Sequence, residues 1–237
     1  MNPAALFAQG KNVLRWLLHQ ELSIFLVLFC LVAGVWAFIE LADEVKEKEV
    51  ESFDSMILER VRGVDPSGQP RGPLWLAEAT RDITALGGYT VLSLVSVVAA
   101  IFLRLKGKTT LMFFTLGAAF GGILLSSLLK ILFSRERPDV ALRLVAEQSY
   151  SFPSGHAMMS AVVYLSIAVL VSATQPRLRE RVFLITSAFF LTFIVGVSRM
   201  YLGVHYPTDV LAGWSVGLAW ASLWWFAGLF LRQRGKT

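Results

Sequence analysis

"SIFLVLFCLVAGVWAFI", residues 23–39, is a run of 17 residues without a formal charge. With its flanks it covers Leu22–Ala42, and a helix that crosses a bilayer needs about 20 mostly apolar residues. A cleaved leader would have a core of about 7–15 residues followed by small residues at a cleavage site. Here Trp36, Phe38 and Ile39 stand where small residues belong. The run therefore reads as a retained membrane helix. Five more runs of similar character follow, roughly Thr84–Leu103, Leu111–Leu132, His156–Ala173, Val182–Val197 and Thr208–Leu231. No charge-rich linker and no internal repeat divides the 237 residues. The expectation is a single domain over 1–237: an all-α, integral-membrane bundle of six transmembrane helices.

Composition agrees. The chain is 55% hydrophobic, above the roughly 45–50% of soluble domains. Its net charge of +5 would suggest nucleic acid in a soluble protein. Here the basic residues flank apolar runs, which points to anionic headgroups of the lipid bilayer and not to nucleic acid. The single Cys30 excludes a disulfide within the chain. Short loops rich in Lys and Arg mark the cytoplasmic side. With the N-terminus inside, the inner segments hold Lys11 and Arg15, then Arg104, Lys106 and Lys108, then Arg177, Arg179 and Arg181, then Arg232, Arg234 and Lys236. Only Glu21 and Glu180 oppose them. The outer segments are longer and carry most of the acids. N-in and C-in is the expected topology, which suits a bacterial inner membrane.

Two segments are amphipathic. Residues 6–20, within an interfacial segment 1–21, pair a Trp/Leu face with a basic one, as in a helix lying at the inner interface. His19 falls there as an ordinary interfacial residue. Residues 43–63 place Phe53, Met56, Ile57 and Val61 at helical spacing. Acids crowd the start of that segment, and Arg60 and Arg62 its end. This predicts an outer-surface helix between spans one and two, in an extracytoplasmic loop 43–83. Residues 63–73 form a Gly/Pro loop.

Three short blocks carry the chemistry. "KILFSRERP" (130–138) puts Lys130, Arg137 and Pro138 at the outer end of the third span. "PSGH" (153–156) opens the fourth, and "SRMYLGVHYPTD" (198–209) places Ser198, Arg199, His205 and Asp209 between the fifth and sixth. All three fall on one side. Three cations gathered at one mouth repel each other unless a polyanion sits between them. Arg offers a planar fork for phosphate oxygens and Lys a point charge. The Ser154 hydroxyl and the backbone N–H groups at Gly155 and His156, at a helix start, add anion donors. Such a set would hold a phosphoryl group and stabilise charge as it is transferred. Asp209, four residues after His205, could fix one imidazole nitrogen and free the other to attack phosphorus. His156, from another helix, could then protonate the leaving oxygen. Spacing alone does not say which histidine attacks.

The ordered set K-x6-RP, PSGH and SR-x5-H-x3-D closely resembles the type-2 phosphatidic acid phosphatase superfamily. That family includes lipid phosphate phosphatases, bacterial phosphatidylglycerophosphate phosphatases and polyprenyl diphosphate phosphatases. The resemblance implies His205 as nucleophile, Asp209 as its orienter and His156 as general acid. Lys130, Arg137, Ser154, Gly155 and Arg199 would hold the phosphate, with no metal and no cofactor. The outer acids cluster in 43–63 and are expected to stand apart from these residues. The implied reaction is hydrolysis of a membrane phospholipid or a polyprenyl diphosphate, with phosphatidylglycerophosphate and undecaprenyl diphosphate as the leading substrates. The alternative is a transporter or flippase for an anionic lipid. Transport sites, however, usually lie near the midplane, often within repeated and broken helices.

Overall fold

The computed structural model describes residues 3–63, 72–139, 143–172 and 174–233. Among these every regular element is helical. The helices are α1 (Pro3–Glu47), α2 (Glu51–Arg62), α3 (Leu74–Ala85), α4 (Tyr89–Leu105), α5 (Thr109–Phe133), α6 (Gly155–Ser160), α7 (Ser166–Ser172), α8 (Leu178–Tyr201) and α9 (Pro207–Gln233). Within α1, α5, α8, α9 and the continuous rod Gly155–Ser172, five stretches are long and apolar enough to cross a membrane. Counted as one span, the bent pair α3–α4 makes a sixth. The protein is an integral-membrane helical bundle.

The first span and the segment before it form one continuous helix, α1. The side chains of 1–21, His19 among them, lie outside the described residues, as does most of the Gly/Pro loop. The second span is interrupted where its hydropathy runs on. Thr84 lies in the last turn of α3, which ends at Ala85, the chain breaks at Leu86-Gly87-Gly88, and α4 leaves at 44°. The fourth span carries a π-helical turn over Ala161–Leu165 between α6 and α7, a feature that often marks a functional region. Its Tyr164 donates to the Leu86 carbonyl at 2.7 Å, tying that turn to the α3–α4 break.

Between lipid-facing helices, close approach of small residues supplies much of the packing. A Cβ on Gly213 of α9 would lie 2.6 Å from the Ser154 carbonyl oxygen, and one on Gly217 would lie 2.6 Å from that of Met158. No side chain fits there, so the start of α6 rests directly on α9. Phe152, fully buried, stacks on Phe38 of α1 at 5.8 Å and meets Phe133 of α5 edge-on at 5.0 Å. These contacts fix the loop between α5 and α6, and with it two of the three sequence blocks.

Helix α2 covers only Glu51–Arg62 of the expected 43–63, because residues 43–47 continue α1 and the chain turns at 48–50, and it buries a different face. The inward residues are Asp54, Leu58 and Arg62, whereas Phe53 and Met56 are 42% and 41% exposed. The stripe turns because α2 docks on a charged surface. Asp54 meets Arg135 at 2.7 Å. The acids of 43–63 therefore do not all stand apart from the motif residues.

Candidate active site

The outer ends of α5 and α8 and the starts of α6 and α9 come together, and they carry the three motifs. A backbone bond from Ser154 N–H to the Asp209 carbonyl, 2.9 Å, joins the second motif to the third. The start of α9 explains the position of Asp209. Pro207 opens the first turn, where a missing N–H costs nothing. Asp209, three residues after Tyr206, reaches back to accept the Tyr206 N–H at 2.9 Å through Oδ2, as the acid of a capping box does.

The same Oδ2 lies 3.4 Å from His205 Nδ1. On the other side of the ring, Arg137 Nη1 lies 3.1 Å from Nε2. Arginine can only donate, so Nε2 accepts and Nδ1 carries the proton toward Asp209. The ring is 1% exposed and the carboxylate 0%. Burial first, then Arg137, Arg199, Lys130 and His156, push the His205 pKa well below the ordinary 6.5. Its neutral form, with a lone pair on Nε2, thus persists as the pH falls through 6.5. If that form is the reactive one, the enzyme's acid limb in kcat/KM lies well below pH 6.5 once substrate ionisation is subtracted. A limb centred near 6.5 would mean that His205 titrates as an exposed histidine.

Lys130 and Arg137 are aimed by backbone oxygens, and Arg199 by side chains. Lys130 Nζ donates to the Tyr150 carbonyl at 2.5 Å. Arg137 donates to the carbonyls of Ser149 at 2.6 Å and Val204 at 2.7 Å. Arg199 donates to Thr84 Oγ1 at 3.0 Å, and its buried Nε has no partner among the described residues. Glu147, in the loop before the second motif, pairs with Arg199 and lies 3.6 Å from Arg137. Its carboxylate thus sits on two of the three predicted phosphate-binding cations. Ser154 is fully buried and caps α6, its Oγ accepting from Ala157 N–H at 3.5 Å, which leaves its own hydroxyl proton to donate. A Cβ on Gly155 would meet the Tyr89 hydroxyl at 2.3 Å, so a larger residue there would require Tyr89 to move aside. His156 is half-buried, its ring 6.3 Å from that of Tyr89.

All eight predicted site residues therefore converge. The structure adds Asp54, Thr84, Arg135, Glu147 and Thr208, which the motifs do not mark. Arg135 donates to Asp209 Oδ1 at 2.7 Å and stacks over Tyr206 at 4.4 Å. Burial works against its charge, but the carboxylates of Asp209 and Asp54 outweigh burial and raise its pKa. Among the described residues no group of three or more His, Cys, Asp or Glu is arranged to hold a metal ion.

The PAP2 superfamily profile matches residues 108–232. Phosphatidylglycerophosphatase B of Bacillus subtilis is 41% identical over 150 residues, 61% of this chain and 71% of that protein. An undecaprenyl-diphosphatase of Sulfolobus acidocaldarius is 38% identical over 73 residues, 31% of each chain. The crystal structure of a transmembrane PAP2-type phosphatidylglycerolphosphate phosphatase from Bacillus subtilis superposes with a TM-score of 0.74. It shares 32% identity over 86% of this chain and 97% of that one.

Proposed function

This chain belongs to the PAP2 superfamily as a membrane lipid phosphatase, and we propose that it hydrolyses phosphatidylglycerophosphate through a phosphohistidine at His205. The observation that carries this reading is the state of His205. Nδ1 faces a buried carboxylate, while the unprotonated Nε2 accepts from Arg137, whose N–H an arriving phosphate would take over, in the midst of cations suited to phosphate.

The substrate's phosphate displaces Glu147 from Arg199 and Arg137 and takes up the unpaired Arg199 Nε. His205 Nε2 attacks phosphorus and the P–O ester bond breaks. His156 gives its proton to the leaving lipid oxygen. Water then attacks the phosphohistidine, His156 takes one of its protons, and the N–P bond breaks to release inorganic phosphate. Lys130, Arg137, Arg199, Ser154 and the N–H groups at the start of α6 hold the phosphoryl oxygens while charge moves. No step needs a metal or cofactor.

Phosphatidylglycerophosphate is favoured over a polyprenyl diphosphate because likeness to phosphatidylglycerophosphatase B extends over most of both chains, and likeness to the diphosphatase over a third. The test is phosphate release by the detergent-purified protein in EDTA. Phosphatidylglycerophosphate, undecaprenyl diphosphate and phosphatidic acid would be compared, with His205→Asn as blank. The first should turn over fastest, without added metal. Faster release from the diphosphate would reassign the substrate, and loss of turnover in EDTA restored by a divalent ion would refute the metal-free route.

The short basic loops support a topology with both termini on the cytoplasmic side of a bacterial inner membrane and the site on the outer face. An impermeant thiol reagent that reaches a cysteine at Ser149 only from the cytoplasmic side would reverse that orientation.

A further inference from the structure

We propose that Arg135, held in place by Asp54 of α2 and by Thr208, is the positioning residue for Asp209, so that α2 is part of the catalytic scaffold. The inference rests on the reading of Asp209 as the group that orients His205.

Arg135 lies inside the first motif, between Lys130 and Arg137, yet its guanidinium takes another direction. Nη1 donates to Asp209 Oδ1 at 2.7 Å and to Thr208 Oγ1 at 2.8 Å. Nη2 donates to Asp54 Oδ2 at 2.7 Å. Both ends of the fork are committed to protein oxygens, so it does not share the phosphate-holding task of Arg137. Asp54 is committed too. Its Oδ1 accepts the Thr208 N–H at 3.0 Å and its Oδ2 the Thr208 hydroxyl at 2.6 Å. An acid from α2 thereby satisfies an N–H in the first turn of α9 and meets the positive end of that helix.

The consequence falls on Asp209. One carboxylate oxygen is occupied by Arg135, and the other by the Tyr206 N–H and His205 Nδ1. The carboxylate plane is thus fixed from the side opposite the histidine. Arg135 also stands between two carboxylates whose side chains are 1% and 0% exposed. Without that cation, two buried like charges would share the region, and one would take up a proton. A protonated Asp209 is no longer a pure acceptor for Nδ1–H, and the tautomer that frees Nε2 loses its support. Removing one member of a buried ionic network uncovers the others, so the effect should reach the chemistry and not only the fold. Asp54 acts one step further out, holding both Arg135 and the turn on which Asp209 sits.

The test is a double-mutant cycle on the full-length, detergent-purified protein, with kcat and KM measured for Arg135→Gln, Asp209→Asn and the pair. Arg135→Gln is expected to lower kcat by roughly 30- to 100-fold with KM within about twofold. In the Asp209→Asn background the same change should cost less than about threefold further, because its route to the histidine is already lost. Arg135→Lys, which restores a charge but not the fork, should recover about tenfold over Arg135→Gln. Full multiplication of the two losses, or a rise in KM with kcat unchanged, would overturn the proposal. If Arg135→Gln does not fold, Asp54→Asn takes its place in the cycle with the same non-additivity expected. Near-normal turnover in Asp209→Asn alone would refute the underlying reading of Asp209 instead.

Discussion

Replacing His205 by asparagine should lower phosphate release by at least about 10^4-fold, the scale on which removal of a nucleophile acts. So large an effect is expected because, among the described residues, His205 is the one that sets a ring nitrogen within hydrogen-bond distance of Arg137. Nε2 of His205 is the acceptor atom beside Arg137, and the ring is buried. The fold should survive. Arg137 keeps its bonds to the carbonyls of Ser149 and Val204, and Asp209 keeps Arg135 and the Tyr206 N–H. Lys130, Arg137 and Arg199 also remain to bind phosphate, so substrate affinity should change only a few-fold. Phosphate release and equilibrium lipid binding, measured on the same preparation, separate the two quantities. Residual turnover above about 1% would remove His205 from the attacking role.

Asp209→Asn should be the next most damaging change, with kcat reduced by about 10^3- to 10^4-fold and KM little altered. The wild-type carboxylate accepts on both oxygens, from Arg135 on one and from His205 Nδ1–H and the Tyr206 N–H on the other. A carboxamide has one acceptor and one donor end. Its NH2 must face either the arginine or the protonated Nδ1, and both are donors. If it faces the ring, the imidazole relaxes to the tautomer with its proton on Nε2, which cannot attack. If it faces Arg135, the anchor of the side chain is lost. Stability should fall less than activity, because Arg135 retains Asp54 at 2.7 Å. The comparison of kcat, KM and melting temperature checks this, and a kcat loss below about tenfold would contradict it.

The helices were legible wherever a span is made by one uninterrupted apolar run, as in α5, α8 and α9. The α3–α4 break was not, because Gly87 and Gly88 sit inside an apolar stretch and leave its hydropathy unchanged. The grouping of the three motifs was legible because each keeps its charged residues at fixed short spacing, and because successive spans must alternate ends. Asp54 was hidden for two reasons. It is one of six acids in residues 43–54, and its partner Arg135 is 81 positions away. No spacing rule links such residues; only the docking of α2 on α9 does. The apolar stripe of α2 misled because burial there is set by a charged surface, so the acid faces inward and Phe53 outward. Arg135 was hidden in plain view between two motif positions, with nothing in its identity to say that its fork points toward Asp209 and not toward phosphate. Glu147 lies in a loop without periodicity, and only its contact with Arg199 gives it meaning.

The most direct measurement is rapid acid-free quenching of the enzyme with a lipid substrate labelled in its phosphate, followed by mapping of the labelled peptide. One phosphoryl group per chain should appear on His205, stable to alkali and lost in acid as an N–P bond requires. It should form and decay at rates that account for turnover. Turnover without any trapped phosphoryl group, or a label on another residue, would contradict the phosphohistidine account.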